Sequence, residues 1–274
     1  MIPVVGVHGV GYHMPGYTPA DAATTLARSW SAALAKGIGE DHGFDVTMAY
    51  YAHHLRPDHT RQSADDFDDL NDLDDEAMEM LLAWDAELRG FEQVPQGWPT
   101  MPPRQLISGM ASFGGFAAVP FHAFALLVMR DATTYLGARH AAKRQNARDA
   151  VAKSIRNSGA RIVLAHSLGS VVAYEALWAC PELAVDLLVT FGSPLGIRGF
   201  VFDRLVPRPD RPGKRPPGVG RWVNIADPGD VCAVPRWLSR SFDVDEDFEA
   251  PIGTFGYHKA VGYLACPVMA ATLR

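Results

Sequence analysis

The chain has 274 residues, of which 48% are hydrophobic and 20% charged, enough apolar material to bury a sizeable core. Its net charge of −6 offers no basic excess, so no nucleic-acid partner is expected. Cys180, Cys232 and Cys266 lie far apart and form no C-x-x-C pair, which argues against a zinc site or a disulfide framework and for a reducing compartment.

The chain opens on Met-Ile-Pro-Val-Val-Gly-Val, with no basic n-region, no long apolar h-region and no A-x-A site, so a secretory signal is not expected and the expected location is cytoplasmic. Pro3 to Val7 reads as a buried strand that stops at His8-Gly9-Val10-Gly11. Thr18-Pro19-Ala20-Asp21 reads as a helix start, with Thr18 as N-cap and Pro19 in the first turn. Leu26, Trp30, Ala33 and Leu34 follow at helical spacing until Gly37 and Gly39. Phe44 to Tyr51 reads as a second strand.

Asp65 to Glu79 is dominated by acids and reads as a solvated helical face or a loop. It lacks the glycine and ligand spacing of an EF-hand. Leu106 to Met129 carries no charged residue and has the length of a membrane span. Ser108, Gly109, Ser112, Gly114, Gly115, Pro120 and His122 suit such a helix poorly. The preferred reading is a mobile apolar cap of two short helices hinged near Gly114-Gly115 and Pro120. Plain core and peripheral membrane contact are the alternatives.

Residues 131–158 read as a polar helix rich in Arg and Lys, Arg161 to Ala165 as a strand, and Leu168 to Cys180 as a helix stopped by Pro181. Leu183 to Phe191 and Arg221 to Ala226 read as two more strands, residues 207–220 as a surface loop, and His258 to Leu273 as a final helix. Strands alternating with helices predict an α/β fold, with a mostly parallel central sheet covered on both faces.

The strongest chemical signal is Ile162-Val163-Leu164-Ala165-His166-Ser167-Leu168-Gly169, an apolar strand that enters a small-x-Ser-x-Gly turn and then a helix. Such a turn pushes the serine out above the sheet, and the small residues on either side let strand and helix backbones approach. Ala165 stands where a glycine is usual. Downstream, Asp230 and Asp227 compete as a carboxylate partner, with Asp203 a distant third. His258 is the histidine best placed to follow them, lying just before the last helix. His166 should point away from its neighbour Ser167. His53, His54 and His59 could line a cleft, but no nearby residues complete a metal ligand set.

On these residues the chain resembles the α/β-hydrolase superfamily, in particular its lipase-like and esterase-like members, with the order Ser, Asp, His along the chain. The resemblance spans nearly the whole chain. It implies a single α/β-hydrolase domain over 1–274 with a cap or lid inserted over 60–130, ahead of the nucleophile strand rather than after the strand that follows it, and without the first two strands of the full fold. It implies a serine esterase with Ser167 as nucleophile, His258 as base and Asp230 as acid. The backbone N–H groups of Leu168 and Val10 would form the oxyanion hole. His8 and Gly9 from the loop, and Phe113, Phe116 and Phe121 from the cap, would contact substrate.

The expected reaction is hydrolysis of a carboxylic ester or thioester bearing a hydrophobic group, on a small-molecule or lipid-like substrate. Amide cleavage, acyl transfer or cyclisation by the same three residues, and a non-catalytic binding module of the same fold, are the alternatives. No cofactor and no metal are expected, since the chain has no Walker loop and no G-x-G-x-x-G after a strand. The sequence does not set the oligomeric state.

Overall fold

Val4, Val5 and Val7 are all removed from solvent although their side chains alternate between two faces. That is the behaviour of a strand inside a parallel sheet covered on both sides. The computed structural model describes residues 1–56, 73–90, 101–253 and 258–274. Among them β1 (Ile2–Val7), β2 (Phe44–Ala49), β3 (Ile162–His166), β4 (Val185–Phe191), β5 (Val219–Ala226) and β6 (Glu246–Glu249) form one six-stranded sheet. All the strand pairs are parallel, in the order β2-β1-β3-β4-β5-β6.

Helices cover both faces. α1 (Pro19–Ile38) begins as the sequence predicts: the Thr18 hydroxyl accepts a hydrogen bond from the Asp21 N–H at 3.2 Å. Its buried residues Ala22, Leu26, Trp30, Ala33 and Leu34 recur at helical spacing and face Val4, Leu164 and Val189. α7 (Ala260–Leu264) and α8 (Pro267–Thr272) complete that layer. On the other face α2 (Asp75–Leu88), α3 (Pro103–Gly114), α4 (Ala118–Leu136), α5 (Ala141–Ser158) and α6 (Leu168–Ala179) share one core with Val5, Val163, Ala165, Leu188 and Trp222. The architecture is therefore α/β.

Four expectations need correction. β6 was not foreseen: its segment is Glu-Asp-Phe-Glu, which reads as polar loop. Its acids are held by neighbours, Glu246 by Arg221 and Glu249 by Arg236, at the charged outer edge of the sheet. The C-terminal helix is two helices, because Pro267 opens a new one with Cys266 as its cap. The helix expected over 131–158 is divided at Gly137, where α4 ends, and resumes in α5.

The fourth concerns the uncharged stretch. It forms two helices, α3 and α4, bent by 117° around Gly115, but Pro120 sits inside the first turn of α4 and is no hinge. Leu106, Ile107, Met110, Phe121, Ala125, Val128 and Met129 belong to the main core, whereas residues 112–120 are exposed apart from half-buried Phe116. The stretch is thus core and exposed tip at once. Of the acid run, residues 65–72 lie outside the described residues. The remainder starts α2, where the Asp74 carboxylate accepts from the Ala77 N–H at 2.8 Å and Asp75 and Glu76 sit favourably in the first turn. No single described helix is long and apolar enough to cross a membrane.

The lower half of α4 is tied to the body of the protein. Glu175 on α6 is fully buried and accepts from the Tyr135 hydroxyl (2.7 Å), the Arg144 guanidinium Nε–H (2.9 Å) and the Val206 N–H (2.8 Å). Deleting one partner of such a buried pair costs about 3–5 kcal/mol, because the remaining charge is stranded. Helices α4, α5 and α6 are thereby tied together at the lower half of α4.

The strand order also sets where chemistry can occur. From β1 the chain passes to α1 on one face; from β3 it passes to α6 on the other. Loops that leave neighbouring strands toward opposite faces open a crevice at the carboxyl ends of those strands, the usual ligand position in parallel α/β sheets. The residues that follow β1 and β3 there are His8-Gly9-Val10-Gly11 and Ser167.

Candidate active site

Ser167 occupies the tight turn between β3 and α6. Its backbone is held at φ 54°, its N–H donates to the Phe191 carbonyl at 3.1 Å, and its carbonyl accepts from the Ser170 N–H and hydroxyl at 2.9 and 2.6 Å. Among the described residues, the non-glycine positions with positive φ are Ser167 and His258, the latter at 85°. Each such conformation costs on the order of 1–3 kcal/mol and persists only where surrounding structure enforces it. Both strained residues meet at one point.

The Ser167 hydroxyl lies 2.7 Å from His258 Nε2, and His258 Nδ1 lies 2.9 Å from both carboxylate oxygens of Asp230. All three side chains are buried. With the imidazole neutral, the Nδ1–H donates to Asp230, which leaves Nε2 to accept from the serine hydroxyl. Asp230 also accepts from the Cys232 N–H at 2.9 Å and from the Tyr263 hydroxyl at 2.7 Å. Asp227 serves otherwise: its two oxygens accept from the Gly229 N–H (2.6 Å) and the Ile252 N–H (2.6 Å), so it shapes the turn that presents Asp230. Asp203, the third acid considered, bonds the Gly199 N–H at 2.9 Å and pairs with Arg208 and Arg211 at the surface.

The electrostatics follow from burial and pairing. Burial works against the Asp230 charge, but His258 and the donors around the carboxylate outweigh it and hold its pKa below the usual range. Burial likewise works against a charged His258, but the Asp230 carboxylate prevails and holds the imidazole well above its ordinary 6.5.

His166 does not turn away as expected. Its fully enclosed ring packs 4.8 Å from the His258 ring, and neither of its nitrogens has a hydrogen-bond partner among the described residues. Burial first, and then the neighbouring His258, push it well below the usual histidine range, so it stays neutral while His258 can accept charge.

The loop after β1 lies directly against this group. A Cβ built on Gly9 would fall 2.6 Å from Ser167 Cβ and 3.1 Å from its Oγ, and one on Gly169 would fall 2.4 Å from the carbonyl oxygens of Val7 and His8. Only glycine permits both approaches. Leu168 is the first residue of α6, so its N–H has no acceptor within the helix. Val10, half-buried, lies one residue past Gly9 in the same loop.

His8, expected at the substrate, is fully buried and engaged by its neighbours. Its Nδ1 bonds the Gly9 carbonyl at 2.9 Å, its Nε2 accepts from the Tyr51 N–H at 3.1 Å, and its ring stacks on Tyr51 at 4.2 Å. Burial pushes its pKa down to about 4, and both nitrogens are committed to holding the loop.

The three phenylalanines expected to contact substrate are spread out. Phe113 is 56% exposed under the Arg89 guanidinium, while Phe116 and Phe121 stack on each other at 5.3 Å, with Phe121 fully buried. The α4 aromatic that meets this group is Phe124, edge-on to His258 with ring centroids 5.3 Å apart. Asp131 of α4 also reaches the loop, accepting from the Gly11 N–H at 2.7 Å. Residues 118–129 of α4 carry His122 as their one polar side chain, too little contrast to set the phase of the helix, so Phe124 had no signal to distinguish it.

The rings of His53 and His54 meet at a tilt, 3.8 Å apart, and line a separate groove of about 720 Å³ beside β2, which Asp149 and Lys153 also line. His59 lies outside the described residues. For metals, Asp230, Cys232 and His258 present ligand atoms within 4.8 Å of one another. Coordination there would displace the Nδ1 proton that joins His258 to Asp230. As they stand, the groups can deprotonate a serine hydroxyl and stabilise the imidazolium that results. Comparison with family models, with curated proteins and with solved structures finds no match to this chain.

Proposed function

We propose that the protein is a serine hydrolase of the α/β-hydrolase type that cleaves a carboxylic ester or thioester through an acyl-Ser167 intermediate. The observation that carries the reading is the hydrogen-bonded series Ser167–His258–Asp230 at the carboxyl edge of β3, with both strained residues of the described chain inside it. His258 takes the serine proton as Oγ attacks the acyl carbon, then returns it to the departing alcohol or thiol. Water repeats the sequence to free Ser167. The N–H groups of Leu168 and Val10 would stabilise the oxyanion. A lost donor of that kind costs about 2.7–4 kcal/mol in activation energy.

The substrate group is hydrophobic on this reading, because Phe124 of α4 stands over His258. With Ser167 only 3% exposed, entry requires the upper part of the α3–α4 pair to move aside, which makes that pair a cap. The exposed tip of that pair carries Phe113 and Val119, 56% and 82% exposed, in a stretch without charge, and this favours contact with a lipid surface. Three free thiols favour a reducing, cytoplasmic setting.

Hydrolysis of p-nitrophenyl esters of rising acyl length tests the reading. Turnover by the wild type that increases with chain length and is absent from Ser167→Ala supports it. Equal release by wild type and variant would remove it.

A further inference from the structure

The Asp230 carboxylate has a partner outside the three residues already discussed. Tyr263, on the short helix α7, is fully buried, and its hydroxyl lies 2.7 Å from Asp230 Oδ2 and 2.9 Å from the Asp227 backbone nitrogen. A phenol has one proton to give. The Asp227 N–H can only donate, so it occupies a lone pair of the phenol oxygen, and the hydroxyl proton is left to point at Asp230. Burial, and then the adjacent carboxylate, raise the phenol pKa far above its ordinary value, so the hydroxyl remains a donor throughout the working pH range. His258 meets the same carboxylate through Nδ1, 2.9 Å from each of its oxygens, with the His166 ring 4.8 Å away and the Cys232 thiol beside it.

From this we propose that Tyr263 is a positioning residue that tunes the basicity of His258 through Asp230; the proposal rests on the serine hydrolase reading for its catalytic meaning. The Tyr263 hydroxyl withdraws charge from Oδ2. Less charge then faces the imidazolium, and His258 releases its proton at lower pH than it otherwise would. The raised affinity of a buried, carboxylate-paired imidazole would leave much of it protonated and unable to accept from Ser167. Tyr263 moderates that effect. The same hydroxyl links the turn at Asp227 to α7, so the acid is fixed in place as well as in charge.

The test compares wild type with Tyr263→Phe, which removes the hydroxyl and little else. The readout is the titration of the His258 ring by NMR with ¹⁵N-labelled histidine, its signals assigned by their loss in His258→Ala. This readout does not require turnover. The expected result is a midpoint higher by about one pH unit in Tyr263→Phe, a tenfold tighter hold on the proton, with the acid limb of ester hydrolysis moving in the same direction. A purely structural tyrosine would lower the melting temperature and leave the midpoint where it was, and that outcome overturns the proposal.

If Tyr263→Phe fails to fold, a ring-fluorinated tyrosine at 263, a stronger hydroxyl donor of nearly the same shape, must lower the midpoint. An unmoved midpoint there overturns it equally. A shifted midpoint in a protein that hydrolyses no ester would retain the coupling and reject the hydrolase reading.

Discussion

Replacing Gly9 by alanine isolates the contact between the β1 loop and Ser167. The added Cβ would stand 2.6 Å from Ser167 Cβ, 3.1 Å from its Oγ and 3.1 Å from His166 Nδ1. Carbon atoms settle at about 3.5–4.0 Å, so loop and serine must part by roughly 1 Å. Neither yields freely. Ser167 is held through its own N–H and carbonyl, and the loop is held by the His8 ring on the Gly9 carbonyl and by Asp131 on the Gly11 N–H. The strain would cost about 1–3 kcal/mol of stability. A displacement of that size at reacting groups costs on the order of 10²-fold in rate. The assay is kcat/KM on a soluble p-nitrophenyl ester, with thermal melts run on the same preparations. A folded Gly9→Ala protein within about threefold of wild type would refute the argument that this loop and Ser167 act as one unit.

Two further outcomes follow from the same geometry. His258 must be neutral to accept the serine proton, and Asp230 holds its pKa well above 6.5, so hydrolysis should rise with pH through a limb whose midpoint lies above 6.5; a pH–rate profile with the limb at or below 6.5 contradicts the pairing described. Phe113→Asp and Val119→Asp should abolish flotation with phosphatidylcholine vesicles and leave turnover of a short soluble ester unchanged. A wild type that never floats removes lipid contact.

What the sequence could reveal was local. The strand running into Ser167 announces its turn through adjacent residues, and Thr18-Pro19 with Leu26, Trp30 and Leu34 announces α1, because capping and periodicity act within a few residues. The choice between Asp230 and Asp227 was not local. Both follow β5 within four residues, and what separates them comes from more than twenty residues onward: the Ile252 N–H donates to Asp227, whereas His258 and Tyr263 meet Asp230. Phe124 escaped notice because residues around it offer only His122 as polar contrast, and Tyr263 because a tyrosine on a short helix reads as core until its hydroxyl is seen to reach Asp230. β6 was hidden by its acids, whose arginine partners sit 13 and 25 residues away. That the His8 ring stacks on Tyr51 was equally out of reach, since the two lie more than forty residues apart.

Labelling by a fluorophosphonate probe followed by peptide mass spectrometry reads out whether His258 activates Ser167 for attack. A single adduct on Ser167 is expected in the wild type and none in folded Ser167→Ala or His258→Ala. An unlabelled but folded wild type, or an adduct on another residue that survives Ser167→Ala, would contradict that activation.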